Sequence, residues 1–224
     1  MKLVSLMLLW AVLQSAPVQA ADMPRPAGSP QTLLQMVGAR QEAARLSDSV
    51  LIVIDAQREY VDGKLPLAGI EPSLREAQSL LQRARKAGTP IIHVVHKGGG
   101  PLFNADGPYF AVVPQLLPAA GEPVIEKTLP NAFARTALAE ALARSGRKNL
   151  IVIGYMTHMC VSSTVRAALD LGYRTTVVAA ATATRDLPDG RGGVIPAAAV
   201  QAASLAALAD RFASIAWRAQ DIQD

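Results

Sequence analysis

Ser49-Val50-Leu51-Ile52-Val53-Ile54 is a short continuous apolar run, and it stops at Asp55. A run this short with no polar face reads as a strand buried on both sides. Working outward, Pro72 to Ala87 puts Leu74, Ala77, Leu80, Leu81 and Ala84 on one helical face, with Gly88 as the stop. Pro90 to Val95 is a second apolar run ending at His96, followed by the glycine-rich loop from Gly98 to Pro101. A short segment spans Val112 to Leu117, and Pro123 to Ile125 resumes the strand pattern. Asn131 to Arg144 reads as helix, Asn149 to Ile153 as a strand closing in Gly154, and Met159 to Leu171 as a helix stopped by Gly172. Thr175 to Ala180 (strand), Pro196 to Ala209 (helix) and Phe212 to Ala216 (strand) complete the series. Short apolar runs alternating with amphipathic helices imply βαβ units, an α/β fold and a parallel sheet covered on both faces. Ligands of such sheets sit beyond the carboxyl ends of the strands, so a site residue should lie just after an apolar run.

The amino-terminal part has a different character. Lys2, the apolar stretch Leu3 to Leu13 and the small residues of Pro17-Val18-Gln19-Ala20 make residues 1–20 a Sec-type signal peptide, cleaved near Ala20. Export to the periplasm or medium follows, with no membrane span afterwards. Residues 21–48 read as a Pro/Gly/Ser-rich linker and an added helix over Gln31 to Leu46, residues 49–217 as the domain, and residues 218–224 as a tail. The 22 Lys and Arg residues are scattered among 18 acids, and only 4% of the chain is aromatic, so nucleic-acid binding has no footprint. One cysteine cannot form an internal disulfide, which leaves Cys160 as buried filler, an intermolecular link or a reactive thiol.

Three residues pass the positional test. Asp55 follows Leu51 to Ile54, Lys127 follows Val124-Ile125-Glu126, and Cys160 opens the helix after the Leu150 to Ile153 strand. A helix N-terminus favours a thiolate, so the thiol pKa is expected to be lowered. A carboxylate can take the thiol proton, an ammonium can hold both partners, and the sulfur can attack a carbonyl carbon.

Leu51-Ile52-Val53-Ile54-Asp55-Ala56-Gln57, Glu126-Lys127-Thr128-Leu129-Pro130-Asn131-Ala132-Phe133 and Gly154-Tyr155-Met156-Thr157-His158-Met159-Cys160-Val161 together resemble the isochorismatase-like cysteine hydrolases. That superfamily includes nicotinamidases and N-carbamoylsarcosine amidase. The resemblance implies a Rossmann-like three-layer α/β/α sandwich around a mostly parallel sheet of about six strands. It makes Asp55 the general base, Lys127 the orienting charge and Cys160 the nucleophile of a thioester mechanism. It also implies a cis peptide at Tyr155-Met156, an oxyanion hole from the backbone N–H groups of Met156 and Cys160, and a homo-oligomer.

The nicotinamidase branch holds a metal with an aspartate and two histidines, whereas residues 57–67 here contain no histidine. His93 and His96 lie three apart on a strand and point to opposite faces, so no metal and no cofactor are expected. His93 reads as a satisfied interior residue, and His158 as facing a subunit contact or solvent. Gln57, Tyr60, His96, Phe133 and Tyr155 are the candidate substrate contacts, with Phe103 and Tyr109 on the loop after His96. The expected substrate is a small amide or related acyl compound. An isochorismatase-type vinyl ether cleavage, for which Arg58 could meet a carboxylate, and a non-catalytic binding protein on the same fold are the alternatives.

Overall fold

A computed structural model describes residues 28–39 and 42–224; the expected signal peptide lies outside the described residues. Among the described residues, the strands β1 (Ser49–Ile54), β2 (Ile91–His96), β3 (Val124–Lys127), β4 (Asn149–Tyr155), β5 (Arg174–Ala183) and β8 (Ser214–Ala216) form a six-stranded sheet. All its pairings are parallel, in the order β3-β2-β1-β4-β5-β8. A two-stranded antiparallel ribbon, β6 (Leu187–Pro188) with β7 (Val194–Ile195), stands apart from it. The helices are α1 (Leu33–Met36), α2 (Ile70–Lys86), α3 (Leu138–Ser145), α4 (Ser162–Asp170) and α5 (Ala197–Arg211).

The two-residue period of β1 builds both cores at once. Leu51 and Val53 pack with Leu74, Ala77, Leu80 and Leu81 of α2, while Val50, Ile52 and Ile54 pack with Leu138, Leu142, Val165 and Leu208 of the other layer. Every residue of β1 is therefore buried, and the sheet is the middle layer of an α/β/α sandwich. Strand order runs outward from β1 in one direction and from β4 in the other. Their junction is a topological switch point, with a crevice beyond the carboxyl ends of both strands.

Several elements differ from the sequence expectation. Among the described residues, the helix expected over Gln31 to Leu46 is only the single turn α1, set by a Thr32–Gln35 capping box and ended by Gly38 at φ +69°. Of its apolar residues only Leu34 is buried, so the helical spacing there has little core to cover. The helix expected from Asn131 begins at Leu138 instead. Asn131 Oδ1 accepts from Phe133 N, Thr136 Oγ1 donates to Ala132 O, and Arg135 takes φ +58°, so local side-chain bonds displace helical ones. The strand expected to end at Ala180 runs on to Ala183. Among the described residues no helix is long and apolar enough to cross a membrane.

Candidate active site

Asp55 leaves β1 with φ +48°, a left-handed turn that ends the strand at the switch point. Lys127 is the last residue of β3, two strands away from Asp55, with β2 lying between. Its side chain crosses the end of β2, where its register partner is His96. Cys160 sits in a single π-helical turn, Thr157–Val161, that joins β4 to α4. The peptide between Tyr155 and Met156, immediately before that turn, is cis.

These elements converge on the Lys127 ammonium. Its Nζ lies 2.8 Å from Asp55 Oδ2, 3.3 Å from Cys160 Sγ and 3.1 Å from His96 Nδ1. An ammonium has three donors, and here it meets three acceptors. Asp55 is 0%, Lys127 1% and Cys160 3% exposed, so this ion pair is cut off from solvent screening. His96 can accept only as a neutral ring; burial, then the Lys127 charge, lowers its pKa to about 4. Burial also raises the Asp55 pKa, an effect the Lys127 charge opposes. Oδ1 of Asp55 has no hydrogen bond of good geometry among the described residues.

The Cys160 thiol does not have the lowered pKa expected of a helix N-terminus. Burial first, and the neighbouring Asp55 carboxylate second, push it up to about 12. The resting site is a neutral thiol beside an ionised carboxylate and an ammonium. Moving the thiol proton to Asp55 replaces one buried ion pair, carboxylate–ammonium, by another, thiolate–ammonium. The net buried charge does not change, and a carboxylate of raised basicity is the better acceptor.

The isochorismatase domain model matches residues 49–220. The chain belongs to the isochorismatase family of hydrolases. It is 40% identical over 182 residues to the secreted isochorismatase effector Isc1 of Verticillium dahliae, covering 80% of this chain and 93% of that protein. It is also 32% identical to a streptothricin hydrolase of Streptomyces noursei, over 83% of this chain and 76% of that one. An isochorismatase crystal structure from Pseudomonas putida KT2440 superposes with a TM-score of 0.83 at 46% identity, over 87% of this chain and all of that chain.

Around the Lys127 cluster, the other candidate residues divide. The Tyr60 ring packs edge-on to Phe103 (5.0 Å between centroids), which packs likewise on His96 (5.2 Å), forming an aromatic wall that ends at the Lys127 cluster. The Tyr60 pKa is raised by burial and then by the charges of Asp55 and Cys160. Gln57 is fully buried: its Nε2 donates to the carbonyls of His96 and Phe110, and its Oε1 accepts from His96 N. It clamps the end of β2 to the following loop. Tyr155 packs edge-on to Tyr60 (6.0 Å between centroids) and meets Ser73 Oγ on α2 through its hydroxyl, and Phe133 stacks on Tyr173. Arg58 is held by Asp62 and lies over Tyr109, so its charge is already matched on the surface. His93 is satisfied internally by Glu122 at 2.9 Å. His158 is half-buried, with Nδ1 against Thr184 Oγ1, because the longer β5 brings Thr184 beside the Cys160 turn.

Two residues escaped the sequence reading. Glu59 is buried and accepts from the backbone of both Lys64 and Phe103, fastening the aromatic wall to the chain after β1. Arg185 stands two residues beyond β5, on the rim of the sheet that carries Asp55 and Lys127. The positional test would have found it had the strand been extended through Ala181-Thr182-Ala183.

Proposed function

We propose that this hydrolase cleaves an amide or related acyl bond of a small molecule through a thioester on Cys160. The observation that carries the reading is the single buried ammonium of Lys127 joining Asp55 Oδ2 and Cys160 Sγ. Asp55 takes the thiol proton as the sulfur adds to the carbonyl carbon, and the carbonyl electron pair moves onto oxygen. Backbone N–H groups of Met156 and Cys160 receive that oxyanion. The intermediate collapses with cleavage of the carbon–nitrogen bond, and Asp55 returns the proton to the departing nitrogen. A water then gives a proton to Asp55 and its oxygen to the thioester carbon. Collapse expels the Cys160 thiolate, which recovers its proton from Asp55, and the acid product leaves. Lys127 remains charged throughout, facing carboxylate and thiolate in turn.

Hydrolysis of a panel of primary amides and carbamoyl compounds, read with intact-protein mass spectrometry, tests this. The expected result is a thioester adduct on Cys160 and a loss of kcat of about 10⁴-fold or more in Cys160→Ala. Turnover that survives Cys160→Ala would reject it. Native Cys160 should also react with iodoacetamide at least tenfold faster than in Asp55→Asn, because the base and not a standing thiolate sets the rate.

The same proposal includes export, for which residues 1–20 and the secreted Verticillium relative are the support. It also includes assembly as a homo-oligomer. Cell fractionation with N-terminal sequencing of the mature protein, and native mass spectrometry, check these two points.

A further inference from the structure

We infer that His96 contacts the substrate: Lys127 fixes the ring with its proton on Nε2, and that N–H donates to an acceptor atom of the substrate. The inference rests on the reading of Cys160 as nucleophile only for where the substrate lies. Its starting point is the donor inventory of the two side chains. Lys127 Nζ stands 3.1 Å from His96 Nδ1, and an ammonium can donate but never accept. Nδ1 must therefore be bare, and the single proton of the neutral ring belongs to Nε2. The other two histidines face groups that can accept: His93 meets the Glu122 carboxylate, and His158 the Thr184 hydroxyl. Only His96, among the three, is set against a pure donor.

The donor on Nε2 is open. β2 is buried along its length except at His96, its last residue, on the rim where β1 delivers Asp55. The backbone of His96 is committed, since Gln57 takes both its N–H and its carbonyl. The Phe103 ring closes one side of the imidazole at 5.2 Å. Nε2 has no protein partner among the described residues and is not sealed from solvent. It is the edge of the ring that faces the crevice. An ammonium bonded to Nδ1 polarises the ring and strengthens Nε2–H as a donor. A substrate seated over Cys160 displaces water from this N–H, and a substrate without an acceptor there leaves it unpaired. The site therefore selects compounds with a second lone pair besides the scissile carbonyl, whose own oxygen goes to backbone N–H groups.

Two measurements on the full chain test this. Nitrogen NMR of the histidine rings at neutral pH, with the His96 signals assigned by their loss in His96→Asn, should show a bare Nδ1 and a protonated Nε2. A proton on Nδ1, or a cationic ring, overturns the inference and leaves the Cys160 reading untouched. The second measurement compares kcat/KM for β-methoxypropionamide and pentanamide, primary amides that differ by an ether oxygen in place of a methylene. The native protein should prefer the ether by at least about threefold. Asparagine reaches only the δ position, so His96→Asn keeps an acceptor for Lys127 but lacks the donor, and the preference should vanish. Glutamine carries its amide N–H near the place of Nε2, so His96→Gln should retain part of the preference. Circular dichroism melts confirm that the variants fold. If His96 served only to hold Lys127, asparagine would be the better substitute and both amides would slow equally. That result, or a native protein with no preference, rejects the contact while the nucleophile reading stands. If neither amide acylates Cys160, the nucleophile reading loses its support, and the His96 Nε2–H resonance decides the contact: a shift with the ether amide alone sustains it, and any other response rejects it.

Discussion

Lys127 has two tasks, and substitution should separate them. Replacing it with methionine leaves the Asp55 carboxylate buried without a countercharge, which costs about 3 to 5 kcal/mol when one partner of a buried pair is removed. Urea unfolding at pH 7 should show that loss for Lys127→Met. The double variant Lys127→Met with Asp55→Asn should recover much of it, because a neutral pair replaces an orphaned charge. Neither protein should turn over substrate. The positions of Asp55, Lys127 and Cys160 were readable in the sequence because each follows an apolar run. The pKa direction of the thiol was not readable, because a helix start shows in the sequence whereas burial of the thiol in the core cluster with Ile54, Ile92 and Val165 depends on contacts distant in the chain. Arg185 was missed for a related reason: Ala-Thr alternation is a weak strand signal, and it hid the end of β5.

At the scale of elements, the seam between β1 and β4 has a strict requirement. Gly154 lies opposite Ile54 with φ +114°, and a Cβ there would fall 1.9 Å from Ile54 O and 2.7 Å from Ile54 N. Both conditions exclude an L side chain. Gly154→Ala should lower the Tm by about 10 °C or more, or abolish soluble expression. Gly99→Ala is the control: a Cβ there meets nothing within 4 Å, and its Tm should stay within a degree or two of the parent. The strands were legible because residues buried on both faces leave continuous apolar runs. Helix starts were less so, since Asn131 and Thr136 bond locally before α3 begins and a π turn precedes α4.

For the whole molecule, acid should unfold the protein in stages. His93, His96 and His158 all have pKa values lowered chiefly by burial, His96 to about 4. Between about pH 6.5 and 4 the unfolded chain takes up protons that the folded rings refuse. The histidine contribution to stability is therefore fully present above about pH 6.5 and falls as the pH drops. Glu122, held down to about 2 first by its bond from Arg85, extends the loss below pH 4.5, because its stabilisation disappears as the folded carboxylate is protonated. Urea midpoints measured from pH 7.5 to 4 should decline, and His96→Asn should flatten part of that decline.

Lys127 reaching across β2 has one further consequence, for the order in which the chain becomes competent. Its side chain meets Asp55 from two strands away and Cys160 from 33 residues on in sequence, and none of these contacts is local. Each depends on a parallel pairing that closes a long loop, the slow kind of contact in folding. No autonomous fragment, hairpin or half-sheet can hold the three groups together. On dilution from denaturant, helical signal should return first, and catalytic competence only with the last phase. Recovered activity is therefore a stringent reporter of complete assembly of the strands from β3 to β4.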